Sequence, residues 1–449
     1  MKLNTQLKNY HHNCITAYIP TCKKGIYYFN KIRRKHGGNK PVMNNTLPSK
    51  STDFASVMKK LTRESCSSND LTIHHSVIDN TITKRSFDTP STYLSSVERY
   101  VSNNLISNQN YSEIKNVAHL LSGSFTSFFG FEFRLNSFDQ KSDYLIAVSS
   151  YNGEREALLN LIKQKEKQEG IFNQPEWQHI GRLTEQWVDP STELHKKILG
   201  LWLEFDTANE NEINGIPSIF LQTIPLRIDS SEDIKKCRWI TQTAIPTLTG
   251  HSISDQLEKQ FIQALTKLPK GASVFHVASM LSRETEGIRL VIKSIQPEDI
   301  IPYLTSLGWS DKGNELASMI EDIKQFSNCI RLHININDKI DPKVGLECFI
   351  SPDKYHQGEG WNDFLNYLID KNICVPDMKT ALLGFPGVDQ EDTDDEFDFE
   401  SYLPTVKLPD ENYSKAIVRY ISHIKISYNP GHPTEAKAYT GVRMFGKME

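Results

Sequence analysis

A closed ten-stranded antiparallel β-barrel of five hairpins, surrounded by helix pairs and so α/β in class, is the fold this 449-residue chain predicts. Three observations lead to it. From about Ser91 onward, stretches with apolar residues recurring at three and four positions alternate with paired runs of apolar/polar alternation, and this order repeats five times. Ten strands arriving as adjacent hairpins would leave two open edges in a flat sheet, and closure removes them. The apolar faces of the strands are the surface on which the helices' apolar stripes can be buried, so the helices belong on the outside.

Taken in order, residues 1–88 come first and are rich in Ser, Thr, Asn and Lys without a sustained period, which predicts a disordered or loosely folded arm. No Asp or Glu precedes Asp53, while Lys23, Lys24, Lys31, Arg33, Arg34 and Lys35 crowd one stretch. This leader lacks the apolar core of a secretory signal. It reads as a disordered arm, or as an over-extended frame whose start is Met43, ahead of an organellar transit peptide.

Residues 89–449 form the predicted barrel domain. The first unit has helices over 91–105 and 112–123, then strands over 128–136 and 142–150. The second has helices over 155–168 and 176–187 and strands over 199–207 and 217–225. The third has helices over 231–243 and 254–268 and strands over 273–281 and 287–295. The fourth has helices over 297–308 and 313–326 and strands over 329–337 and 344–350. The fifth has helices over 361–372, 377–383 and 410–422, with an acidic loop at 387–404, and closes on the hairpin His423–Val442 around Pro-Gly-His-Pro.

Strand alternation also separates the two faces. In CIRLHININ, Ile330, Leu332, Ile334 and Ile336 point one way, and Arg331, His333, Asn335 and Asn337 the other. Phe131, Phe133 and Leu135 oppose Glu132, Arg134 and Asn136, and Ile424, Ile426 and Tyr428 oppose His423, Lys425 and Ser427. With helices on the apolar face, the polar face looks into the barrel, and ten strands enclose more room than the eight of a filled barrel. The predicted lumen is therefore charged and roomy enough for a ligand.

The remaining composition narrows the function. A formal charge of −4 gives no global case for nucleic acid or a membrane surface, and no apolar run is long enough to span a bilayer, so a soluble, cytoplasmic protein is expected. Seven cysteines form no C-x-x-C pair and no zinc-finger spacing, which predicts free thiols in a reducing compartment. There is no GxGxxG after a strand, no P-loop, no HExxH and no G-x-S-x-G, which disfavours nucleotide-dependent chemistry.

The lumen positions carry the chemistry. Arg289 and Lys293 on one strand, Arg331 and His333 on the next hairpin, and Lys425 and Lys437 on the last could neutralise an anionic group. Glu132, Glu204 and Glu347 are read first as partners of those cations, and His276 and His333 as hydrogen-bonded barrel histidines.

Five helix-pair-plus-hairpin units around a polar lumen resemble the ABBA or PT-barrel fold of soluble aromatic prenyltransferases, over roughly residues 91–443. Lys437-Ala-Tyr439 is similar to that family's Lys-x-Tyr strand motif, and Glu132 in GFEFRLN to its early-strand glutamate. The resemblance implies transfer of a prenyl group from an isoprenoid diphosphate to an aromatic small molecule or peptide. In it Arg289, Lys293, Arg331, His333, Lys425 and Lys437 bind substrate, Tyr439 shields an allylic cation, and Glu132 acts catalytically on the acceptor. No cofactor is required and Mg2+ is optional. The second hairpin departs from the family in lacking a cation for the diphosphate, which keeps open the alternative of a non-catalytic barrel that binds a small molecule or peptide. Asp394-Asp395-Glu396-Phe397-Asp398 matches the DDxxD of helical isoprenoid enzymes but sits in an acidic, aperiodic stretch, and reads as a solvated charge run.

Overall fold

The computed structural model describes residues 89–136, 140–167, 170–207, 215–283, 287–327, 329–350, 359–390 and 416–445. The N-terminal arm and the acidic stretch 391–404, with its DDxxD match, lie outside the described residues. Apart from Glu359 and Gly360, the described residues belong to one compact unit.

The described residues form eleven strands: β1 (Phe128–Arg134), β2 (Ser142–Ser149), β3 (Ile198–Phe205), β4 (Ser218–Leu226), β5 (Ser273–Ser279), β6 (Ile288–Lys293), β7 (Cys329–Ile336), β8 (Ile340–Phe349), β9 (Gly387–Gln390), β10 (Ala416–Tyr428) and β11 (Glu435–Phe445). Each of β1 to β7 pairs with the next, β8 pairs with β10, β10 with β11, and β11 returns to β1, so ten antiparallel strands close a ring. The short β9 stands outside it, covering the first residues of β10 (Ala416–Arg419).

The helices precede each hairpin as expected. They are α1 (Pro90–Val97), α2 (Asn108–Leu120), α3 (Glu154–Lys165), α4 (Pro175–Val188), α5 (Glu193–Lys197), α6 (Ser231–Cys237), α7 (Ile245–Thr249), α8 (Asp255–Thr266), α9 (Pro297–Ser306), α10 (Asn314–Ile323), α11 (Glu359–Asp370) and α12 (Pro376–Leu383). Local chemistry sets several starts. Proline occupies the first turn of α1, α4, α9 and α12, where its missing N–H costs nothing. Ser107 and Ser254 cap α2 and α8 by accepting from the backbone N–H of Asn110 and Leu257.

The core lies between the barrel wall and these helices. Phe129, Phe131 and Phe133 of β1 are fully buried, and the Phe131 ring lies 6.3 Å from both Tyr111 of α2 and Phe385, just beyond α12. Trp187 of α4 donates its indole N–H to the backbone carbonyl of Ile198, tying a helix to the start of β3. The apolar face of β1 thus points at the helices, and the aliphatic residues Leu332, Ile334 and Ile336 of β7 are likewise buried.

One expected helix is a strand. The spacing of Ile417, Tyr420 and Ile421 predicts a helix over 410–422; residues 410–415 lie outside the described residues, and Ala416–Tyr428 forms the single strand β10. Its β-branched Ile417, Val418 and Ile421 suit a pleated surface, and β9 on one side with β11 on the other supplies a full ladder that a helix would forgo. The turn after β10 follows its sequence: Gly431 has φ 74°, and the N–H of His432 bonds the carbonyl of Asn429, a tight Pro-Gly turn.

Closure depends on a close approach at the β1–β11 seam. A Cβ on Gly130 would stand 2.1 Å from the carbonyl oxygen of Thr440, so no larger residue fits without moving backbone. Gly130→Val should lower unfolding stability by about 3 kcal/mol through overpacking, measured by denaturant titration, whereas an unchanged midpoint would show that the seam yields.

Candidate functional site: the barrel lumen

The ladder register carries the polar face of each strand into the lumen, where it forms two charged groups and an aromatic wall. The first group surrounds Glu132, which is 1% exposed and opposes Tyr439 across the seam and Asp143 on β2. Lys437 donates its ammonium to Oε1 of Glu132, and the Tyr439 hydroxyl donates to Oε2. Burial alone would raise the Glu132 carboxyl, but the charges of Lys437 and Lys425 overcome it and hold the group well below the usual carboxylate range. Burial and then the Glu132 charge push Asp143 up to about 7, against the Arg134 guanidinium 3.1 Å away.

The neighbouring carboxylates have a partner that strand periodicity could not disclose. Arg283, in the loop after β5, reaches Glu204 at 3.1 Å and also pairs with Asp206. Burial, Glu132 and Asp206 raise the Glu204 carboxyl, and Arg283 opposes them. The cation missing from the second hairpin is thus supplied by a loop of the third, and it is spent on that hairpin's own acids.

The second group surrounds Glu347 on β8. His333 Nε2 lies 2.5 Å from its Oε1, His423 Nε2 lies 3.5 Å from the same oxygen, and Arg331 Nη1 lies 3.7 Å from Oε2. Burial is again outweighed, here by His423 and His333, so Glu347 stays ionised well below its ordinary range. Arg331 is held between two rings, its guanidinium carbon 4.8 Å from the centroid of Phe275 and 4.2 Å from that of Phe349. Burial pulls His276 down to about 3, and His333 and His423 to about 4, so all three imidazoles are neutral at pH 7.

Lys425 stands between the two groups. It is 9% exposed, its ammonium lies 5.8 Å from the Tyr439 ring centroid, and no hydrogen-bond acceptor is in reach among the described residues. Burial and then Arg289 pull it down to about 8. Its stem passes over Gly345, where a Cβ would come 2.9 Å from the Lys425 Cε and 3.2 Å from the His333 Cβ. Bulges in β10 between Ile421 and His423, and in β5 between Val274 and His276, precede His423 and His276 and aim these rings.

The aromatic wall uses Phe128, Trp202 and Tyr420. Phe128 meets Trp202 edge-on at 5.0 Å and stacks with Tyr420 at 6.4 Å, while Trp202 packs on the cluster of Phe220, Ala278 and Met280. The Arg443 guanidinium carbon lies 4.5 Å over Phe128.

The strand register brings the candidate site residues to one face of the sheet, whereas Asn136, expected on that face, lies beyond the end of β1 and is exposed. Glu132, Lys437 and Tyr439 meet at the seam; Arg331, His333 and Lys425 gather around Glu347; Arg289 bonds Asn335 at 2.9 Å and Lys293 stands 5.7 Å from the Phe275 ring centroid. Sequence reasoning missed Arg283, Asp143 and the aromatic wall, and it left His423 outside the ligand set although its alternation placed it inward. Among the described residues no three His, Cys, Asp or Glu side chains are arranged to hold a metal ion. The thiols of Cys237, Cys348 and Cys374 are buried, which raises their pKa and makes them core groups rather than nucleophiles. No helix among the described residues is long and apolar enough to cross a membrane.

The histidines give the fold a pH signature. An unfolded imidazole titrates near about 6.5, so between that value and the folded values of about 3 to 4 the unfolded chain binds more protons. The stability they contribute is present above about pH 6.5 and is lost as the pH falls toward 4. Urea unfolding at a series of pH values should show this loss, and His276→Gln should reduce it; an equal acid sensitivity in the variant would refute the assignment.

No protein-family model matches the chain, and no curated protein matches it. Among solved structures it is similar to the prenyltransferase PriB in its apo form, at 12% identity and a TM-score of 0.45, over 78% of this chain and 94% of that one. It is similar also to 5-dimethylallyltryptophan synthase from Streptomyces coelicolor, at 12% identity and a TM-score of 0.45 over 79% and 97% of the two chains. A third similar structure is AnaPT from Neosartorya fischeri, at 10% identity and a TM-score of 0.44 over 78% and 91%. The likeness is one of fold, a barrel ringed by helices.

Proposed function

We propose that the lumen binds an isoprenoid diphosphate and transfers its prenyl group to an aromatic acceptor. The observation that carries this reading is Lys425, 9% exposed on the inward face of β10, whose ammonium has no hydrogen-bond acceptor among the described residues. A cation held in such a place without a partner is one that an anionic ligand would pair. Arg289, Lys293 and Arg331 share its face of the barrel, and Glu347 is the acid already committed to Arg331, His333 and His423. A diphosphate would therefore find in Lys425 a donor with no acceptor among the described residues, with Arg289 on the same face.

The rest of the ligand follows from the aromatic wall. Phe128, Trp202, Phe220 and Tyr420 present ring faces that suit an apolar chain and stabilise positive charge developing at an allylic carbon. As the bond from that carbon to the diphosphate breaks, Lys425, Arg289, Lys293 and Arg331 would take up the charge on the leaving group. The acceptor ring then forms the new bond to that carbon and gives up a proton, which the released diphosphate would accept. Glu132 would orient an acceptor N–H or O–H, and Lys437 and Tyr439 keep that carboxylate ionised and fixed.

The same contacts support a second reading, in which the barrel binds such a ligand without transferring it. Both Glu132 oxygens already accept a hydrogen bond, and the Lys437 and Lys425 charges weaken it as a base. Incubation with dimethylallyl or geranyl diphosphate and a panel of indoles and phenols separates the two. Prenylated product is the expected result; protection against thermal unfolding without product supports binding alone; neither effect removes both. Lys425→Ala should weaken diphosphate binding roughly 10- to 100-fold, the worth of one charge-assisted contact.

A further inference from the structure

We propose that the lumen between β5 and β10 is a proton-coupled anion site, in which a phosphorylated ligand is held by Arg331 and Lys425 together with a proton that His333 takes up as the ligand enters. This rests on the reading of the lumen as a diphosphate site and specifies how that site acquires its charge.

The geometry of His333 carries the inference. The ring is 6% exposed, its Nε2 lies 2.5 Å from Oε1 of Glu347, and its Nδ1 is buried with no hydrogen-bond partner among the described residues. Beside an ionised carboxylate, Nε2 must carry the proton of the neutral ring, which leaves Nδ1 as a bare lone pair. A phosphate oxygen arriving at Nδ1 would meet lone pair with lone pair. The contact becomes a hydrogen bond only when a second proton sits on Nδ1, so anion and proton enter together. His276 Nε2 is a second buried ring nitrogen on the same side without a partner among the described residues.

The surrounding charges set the direction. Burial and then Lys425 keep His333 neutral, with Arg289 adding to them, while Glu347 alone favours the cation. Facing this ring are His276 on β5, Arg289 and Lys293 on β6, Arg331 on β7, Glu347 on β8, and His423 and Lys425 on β10; Glu132, Lys437 and Tyr439 stand beyond Lys425. An anion placed among the cations cancels their repulsion of an imidazolium. Glu347 then has a charged partner on each side, and the ligand gains a donor that the empty lumen does not carry.

Isothermal titration of the full chain with inorganic pyrophosphate, in two buffers of different ionisation enthalpy near pH 7, counts the protons. Native protein should take up about one proton more per bound anion than His333→Gln, whose amide still reaches Glu347 but does not titrate. Sulfate, which has no titrating proton in this range, gives a second count: its affinity should weaken more steeply in native protein than in His333→Gln as the pH rises from about 6 to about 8, the Lys425 contribution being common to both. Equal proton counts in native and variant proteins, or a sulfate affinity with the same pH dependence in both, overturn the proposal while leaving the diphosphate reading intact. Absence of binding by both anions overturns the proposal and the reading together.

Discussion

The structure turns on enclosing ionisable side chains within a wall of strands whose outer face is apolar. Once Phe129, Phe131 and Phe133 turn outward to meet the helices, pleat geometry leaves Gly130, Glu132 and Arg134 facing inward. A charge so placed must be paired, neutralised or reserved for a ligand. All three outcomes occur in this lumen. Glu132 is paired with Lys437 and Tyr439, the histidines give up their charge, and Lys425 keeps a charge with no acceptor beside it.

These outcomes are arranged by position rather than by composition. The seam between β1 and β11 is the most tightly held part of the lumen, because the Gly130 approach to Thr440 and the Glu132 contacts to Lys437 and Tyr439 cross the same pair of strands. Closure of the ring and fixing of the seam carboxylate are therefore one structural event. Around Glu347 the reverse holds. One acid, Glu347, meets His333, His423 and Arg331, and the aromatic rings of Phe275 and Phe349 flank the Arg331 guanidinium. The rigid seam and the quadrant around Glu347 face the same interior, which is the arrangement a site needs if it is to grip an anion without reshaping itself.

Much of this was legible in the sequence because both periods were strong. Strict alternation in CIRLHININ and HIKISY fixed the inward set, and helical recurrence with proline or serine starts fixed the jacket. What escaped had no period to betray it. Arg283 acts from a loop, and its reach to Glu204 and Asp206 depends on a neighbouring hairpin being folded beside it. The first half of β10 satisfied the helical template as well as the strand one, and the partner strands β9 and β11 decide between them. His423 was placed inward correctly, but the sharing of Glu347 by two imidazoles and a guanidinium is a three-strand coincidence that no linear spacing encodes.

The most direct measurement of this account is a crystal structure grown with inorganic pyrophosphate. Density inside the barrel, in contact with Lys425, Arg331 and the Nδ1 atom of His333, is the result the account predicts. Pyrophosphate bound on the outer surface, with Lys425 turned onto a carboxylate of its own and the quadrant around Glu347 left to its internal pairs, would contradict it.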